Sequence, residues 1–226
     1  MQQVISKINE WEYIHKLPPT INGFVFSKEL SESGTLFHLF TYANESARRS
    51  FSVLYDHATK EFIARIKVGL IEFCDIAYIV ADLEMLENVL EKRLETTLSR
   101  LGFFDINDLN SIFLEKKIVE WQYAAKLPQV FAGFELYIKP LEPLKIINGS
   151  YVILNYTDFL SESDLIIYYN IYRDEFFGEL RIRRTPQMAA VFESKQLSEL
   201  EEKLELYLNP TLENMRCQIN DNHGEL

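Results

Sequence analysis

EWQYAAKLPQVFAGF (residues 120–134) restates EWEYIHKLPPTINGF (residues 10–24). Glu10, Trp11, Tyr13, Lys16, Leu17, Pro18, Gly23 and Phe24 recur as Glu120, Trp121, Tyr123, Lys126, Leu127, Pro128, Gly133 and Phe134, 110 residues on. A period this long, present twice, indicates duplication of a whole small domain and not a solenoid of short repeats.

The match continues at an offset of 114. YDHATKEFIARIKV (55–68) faces YNIYRDEFFGELRI (169–182), with the apolar alternation kept. Leu83, Leu86, Glu87, Leu90, Glu91 and Leu94 then fall opposite Leu197, Leu200, Glu201, Leu204, Glu205 and Leu208. The shift of four fits a longer loop in the second repeat, KPLEPLKIING (139–149), which carries two prolines and a turn-prone Asn-Gly.

Each repeat is predicted to open with a helix, VISKINEWEYIHKL (4–17) or IFLEKKIVEWQYAAKL (112–127). Leu-Pro ends it, because the residue before a proline is pushed out of the α region. Gly-Phe then starts the first strand. TLFHLFTY (35–42), RSFSVLYD (49–56) and EFIARIKV (61–68) are the next three strands. Their counterparts are SYVILNYT (150–157), LIIYYNIY (165–172) and EFFGELRIR (175–183). DIAYIVA (75–81) and MAAVFE (188–193) are candidates for a fifth strand, and a leucine stripe at spacings of three and four closes the unit as a helix. Asp82, and Ser194 or Ser198, are the candidate N-caps. The expected fold is α+β: a tandem duplication of a helix, an antiparallel β-meander of four or five strands, and a helix, the halves related by a pseudo-two-fold axis. The expected division is 1–101, a connection over 102–113, 114–208, and a polar, disordered tail over 209–226.

The 226 residues, 47% hydrophobic and 13% aromatic, suffice for a sizeable core. A net charge of −11 discourages non-specific binding to nucleic acid or anionic membrane and suits a basic partner. The two cysteines, Cys74 and Cys217, form neither a disulfide framework nor a thiolate zinc site. The amino terminus has no apolar signal region, and no apolar run approaches the roughly 20 residues of a membrane helix. A soluble cytoplasmic protein is expected.

Catalytic signatures are missing. The glycines form no phosphate loop, and no GxSxG nucleophile motif occurs. His15, His38, His57 and His223 show no metal-ligand spacing. The glutamates of the leucine-striped segments read as solvated helix faces, with Lys92, Arg93 and Lys203 as partners. Trp11 and Trp121 read as core keystones. On a helix, Trp11 and Tyr13, or Trp121 and Tyr123, would face apart and form no common aromatic surface. No metal, no cofactor and no enzymatic activity are expected.

One constellation stands out. Strand parity puts Phe176, Leu180 and Ile182 on the core face, and Phe177, Glu179, Arg181 and Arg183 on the other. On the neighbouring strand Ile166, Tyr168, Asn170 and Tyr172 point outward. The first-repeat equivalents, Ser52, Leu54, Asp56 and Ala58 beside Ile63, Arg65 and Lys67, are plainer. An apolar outer face rimmed by arginine needs cover. Either the other half or a second chain packs there, or Tyr168, Tyr172, Phe177, Arg181 and Arg183 form a binding surface.

In element order alone, the duplicated meander-plus-helix resembles the Whirly and PC4-like single-strand DNA-binding folds. That resemblance implies a stacking groove in which Tyr168 and Tyr172 take bases while Arg65, Lys67, Arg181 and Arg183 take phosphates. The acidic charge opposes it. The leading expectation is therefore a non-catalytic protein-interaction module, chaperone-like or toxin-neutralising, that binds a basic protein. A single-strand nucleic-acid binder is the alternative, and a small-molecule binder or enzyme with a cleft between the halves comes third.

Overall fold

The computed structural model describes residues 2–221. The chain divides at Phe104/Asp105 into two units, each with its own antiparallel sheet. The first contains α1 (Gln2–Asn9), β1 (Thr20–Ile21), β2 (Phe24–Ser33), β3 (Leu36–Asn44), β4 (Arg49–Asp56), β5 (Glu61–Val68), β6 (Ile71–Val80) and α2 (Leu83–Gly102). Its six strands pair in chain order. The second contains α3 (Ser111–Glu115), β7 (Val130–Phe131), β8 (Phe134–Ile138), β9 (Leu144–Lys145), β10 (Ser150–Asp158), β11 (Ser163–Asn170), β12 (Glu175–Ile182), β13 (Thr185–Met188) and α4 (Leu197–Asp221). Six of its strands form the meander β7-β8-β10-β11-β12-β13, and β9 pairs with β10. Among the described residues no helix is long and apolar enough to cross a membrane.

This is the α+β duplication expected, with more strands than expected. Alternation sets the strands: in β5, Phe62, Ala64, Ile66 and Val68 are buried and the residues between them are not. The leucine stripes set the helices. Leu86, Leu90, Leu94 and Leu98 of α2 are buried, as are Leu200, Leu204 and Leu208 of α4. Asp82 caps α2 by accepting from the Met85 amide at 2.8 Å.

The correspondence reaches single contacts. Gly23 and Gly133 both adopt φ +83°, in the left-handed region that glycine enters without strain. The Trp11 indole donates to Glu87 at 3.2 Å, and Trp121 donates to Glu201 at 2.8 Å. Each repeat carries a register shift in its matched strand, between His38 and Phe40 and between Val152 and Leu154. The extra residue lets sequence neighbours reach one side of the sheet: Ile153 and Leu154 both lie in the second core. Leu39 and Phe40 are likewise both buried.

Several elements differ from expectation. The opening helices are not continuous. α1 stops at Asn9, Trp11 is extended (φ −72°, ψ 99°), and a 3-10 turn runs over Glu12–His15. In the second repeat α3 ends at Glu115, Lys117 is left-handed, and 3-10 turns over Ile118–Glu120 and Gln122–Lys126 flank an extended Trp121. The extended tryptophan turns its indole to the glutamate of the closing helix. It also brings ring i against ring i+2: Trp11 and Tyr13 lie 5.5 Å apart, Trp121 and Tyr123 5.3 Å. Each pair is thus one aromatic surface, contrary to the helical reading. Both tryptophans are 7% exposed, as keystones should be.

MAAVFE is not a strand. Only its first residue, Met188, belongs to a strand, as the end of β13, and Ala190–Phe192 form a 3-10 turn. Ser194 bridges Phe176 through backbone bonds of 2.7 and 3.1 Å and does not cap α4; Glu199 instead accepts from the Lys195 amide at 3.2 Å. The segment assigned as a connection belongs in part to the second core, where Phe113 is fully buried. The tail expected to be disordered is helical as far as Asp221, and 222–226, with His223, lie outside the described residues. Pro210 removes one amide donor on the exposed side of α4. Beyond it Leu212, Met215 and Ile219 continue the stripe and are buried. Arg216 anchors this extension to Asp158 at 2.9 Å and to the Ala132 carbonyl at 2.7 Å.

Candidate functional site

The register of the second sheet decides which of the five candidate residues meet. Tyr168 pairs with Phe177, Ile166 with Glu179 and Asp164 with Arg181. Tyr168, Phe177 and Arg181 therefore share the face turned away from α4. The Tyr168 and Phe177 rings stack at 4.9 Å and 17°. Tyr172 lies past the end of β11, is 77% exposed and covers Gly149 with its ring. Arg183 lies past β12 in a left-handed turn (φ +49°), and its guanidinium donates to the Ile219 carbonyl of α4 at 3.2 Å. Three of the five come together and two do not.

Around those three lies a polar cluster. Arg181 grips Asp164 in a two-pronged contact, with Nε to Oδ1 at 2.7 Å and the second nitrogen on Oδ2. Asn155 donates to Asp164 at 3.2 Å, and Thr157 donates to Asn155 at 2.6 Å. The Asp164 side chain has no exposed surface. Burial pushes its carboxyl up, while the Arg181 hydrogen bond and charge and the Asn155 amide oppose that. Burial would lower Arg181, but the Asp164 contacts outweigh it and raise its pKa. The pair is ionised, because a guanidinium keeps its proton and a neutral Asp164 would leave it buried uncompensated. Burial also raises Glu179. Tyr168 is only 8% exposed, and every residue of β10 and β11 is buried. The first repeat has Ser50, Ser52 and Leu54 on β4 and Ile63, Arg65 and Lys67 on β5, with a 2.8 Å bond between Thr41 and Ser52 and a Lys67–Glu72 pair at 3.8 Å.

A second constellation occurs once in each repeat and joins the Trp-x-Tyr stretch to the closing helix. In the second repeat Trp121 holds Glu201 through its indole, and Glu205 stands one helical turn further on. Lys126 Nζ lies 5.4 Å from the Tyr123 ring centroid and 3.7 Å from Glu205. Burial, then Glu205 and Glu201, raise the Tyr123 phenol. In the first repeat Trp11 holds Glu87, and burial, then Glu91 and Glu87, raise the Tyr13 phenol. Sequence reasoning missed this grouping, although both halves of it, EWxYxxKLP and the paired glutamates, recur in register.

Among the described residues no cluster of His, Cys, Asp or Glu is placed to hold a metal ion. A pocket of about 320 Å³ lies between α1 and the start of α2, lined by Val4, Lys7, Tyr55, Phe62, Asp82 and Glu84 among others. Its Asp82 is occupied as the helix cap. In comparisons with known proteins, no family model, no curated protein and no solved structure matches the chain.

Proposed function

We propose that the chain is a non-catalytic protein-interaction module that takes up a basic protein. The observation that supports this reading is a row of exposed carboxylates on α2, Glu84, Glu91 and Glu95, that form no ion pair among the described residues, with Lys92 and Arg93 the cations nearest to them in sequence. They stand in a chain of net charge −11. Such a row steers and receives a cationic surface. The single-strand nucleic-acid alternative has less support. Arg181 is engaged with Asp164, and Arg183 with a helix carbonyl, so neither guanidinium is disposed for phosphate.

Calorimetric titration at low salt with decalysine and, separately, with a ten-residue oligothymidylate tests the reading. Decalysine should bind, and its affinity should fall steeply with salt. Binding of the oligothymidylate with no response to decalysine would overturn the proposal in favour of the nucleic-acid alternative.

A further inference from the structure

We infer that the first repeat carries a cation seat, made by the Tyr13 ring and the Glu91 carboxylate, which receives a lysine or arginine side chain of a basic protein; the inference rests on the function just proposed. The second repeat shows how such a seat is filled, because it fills its own. Lys126 sits over Tyr123 at 5.4 Å and against Glu205 at 3.7 Å. An ammonium within about 6 Å of a ring centroid is attracted by the ring face. The supporting frame is the same in both repeats. The Trp and Tyr rings are tilted at 34° in the second and 31° in the first. In each, the indole fixes the first glutamate of an i, i+4 pair.

The repeats differ in what the lysine does. Lys16 occupies the sequence position of Lys126, yet it makes no ion pair or ring contact among the described residues. It lies one residue past its 3-10 turn, Glu12–His15, whereas Lys126 is the last residue of the turn Gln122–Lys126. Glu91 is left without a cationic partner among the described residues. Like charges four apart on a helix repel, so Glu87 and Glu91 oppose one another. Both also disfavour ionisation of Tyr13, after burial. A cation from outside relieves this as Lys126 does in the second repeat, and an anionic ligand is repelled. Because the seat lies at the surface, one such contact is weak. A segment with several basic residues would also engage Glu84 and Glu95 along α2.

Decalysine titration of the full chain and its variants tests the seat. Glu91→Gln and Tyr13→Leu should each weaken binding about three- to tenfold, while Glu205→Gln leaves it unchanged. Lys126→Gln, which frees the second Tyr–Glu pair, should increase the peptide bound. Thermal unfolding checks each variant, and Glu91→Lys, an exposed change, replaces Tyr13→Leu if the latter loosens the fold. If decalysine binds and neither Glu91→Gln nor Glu91→Lys weakens it, the seat is wrong and the basic-partner reading stands. If decalysine fails to bind at low salt, both are overturned.

Discussion

The Tyr156 hydroxyl donates to the Pro128 carbonyl at 2.7 Å. It ties β10 to the Leu-Pro segment that separates the opening turns from the first strand. Tyr42 makes the same bond to Pro18 at the same length. Burial raises both phenols, Tyr42 to about 12, so both still donate at neutral pH.

Removing either hydroxyl leaves a part-buried carbonyl without its partner. Tyr156→Phe and Tyr42→Phe should each cost about 1–3 kcal/mol. Urea unfolding measures this. Midpoints equal to that of the unmodified chain in both variants would show that the bonds contribute nothing.

Trp121 is both a packing element and a donor to Glu201. Trp121→Ala should cost about 3–5 kcal/mol. Trp121→Phe keeps most of the packing and loses the bond, so it should cost clearly less. An unchanged urea midpoint for Trp121→Ala would refute the keystone role.

The Asp164–Arg181 pair should behave as a buried pair. Asp164→Ala strands a guanidinium that is 18% exposed and should cost about 3–5 kcal/mol. The double change Asp164→Leu with Arg181→Met removes both charges and should recover much of that loss. A double variant less stable than the sum of its single changes would contradict this account.

Acid should weaken the second unit partly through Asp158. Burial alone would raise its carboxyl. Hydrogen bonds from Ser161 and Arg216, with the Ser161 and Leu160 amides, prevail and hold it below its ordinary value. A depressed carboxyl contributes stability that is present above its unfolded value of about 3.9 and lost as pH falls through the lower folded value. Thermal midpoints measured from neutral pH into that acid range should fall less steeply for Asp158→Asn. Asp174, held low by hydrogen bonds from Lys116 and Tyr169, keeps part of the slope. An unchanged profile would show that Asp158 is not a source of the acid limb.

The duplication, the central strands and both helix stripes were legible because periodicity reports burial directly. RSFSVLYD and EFIARIKV coincide with β4 and β5 to the residue. The opening helix was misread because Trp11 has a helical spacing to its apolar neighbours but a backbone set by its indole partner, Glu87, 76 residues away. The extension of α4 is hard to read because the segment after Asn209 is polar and sparse in leucine, and its stripe continues only through Leu212, Met215 and Ile219. Parity placed Tyr168, Phe177 and Arg181 correctly. It failed for Tyr172 and Arg183, which lie beyond the strand ends, and Arg183 in a left-handed turn. The aromatic–carboxylate grouping joins segments far apart in the chain, and no local pattern states their proximity.

The shared register shift at Leu39 and Ile153 bears on descent. A bulge is a one-residue insertion, and two independent insertions at positions 114 apart would require coincidence. A shared bulge is what duplication of one unit that carried it would leave. The two repeats share that backbone while the side chains around it differ: Ser50, Leu54 and Lys67 in the first stand where Asp164, Tyr168 and Arg181 stand in the second. The polar cluster of the second sheet therefore rests on a backbone that both repeats share and on side chains that they do not.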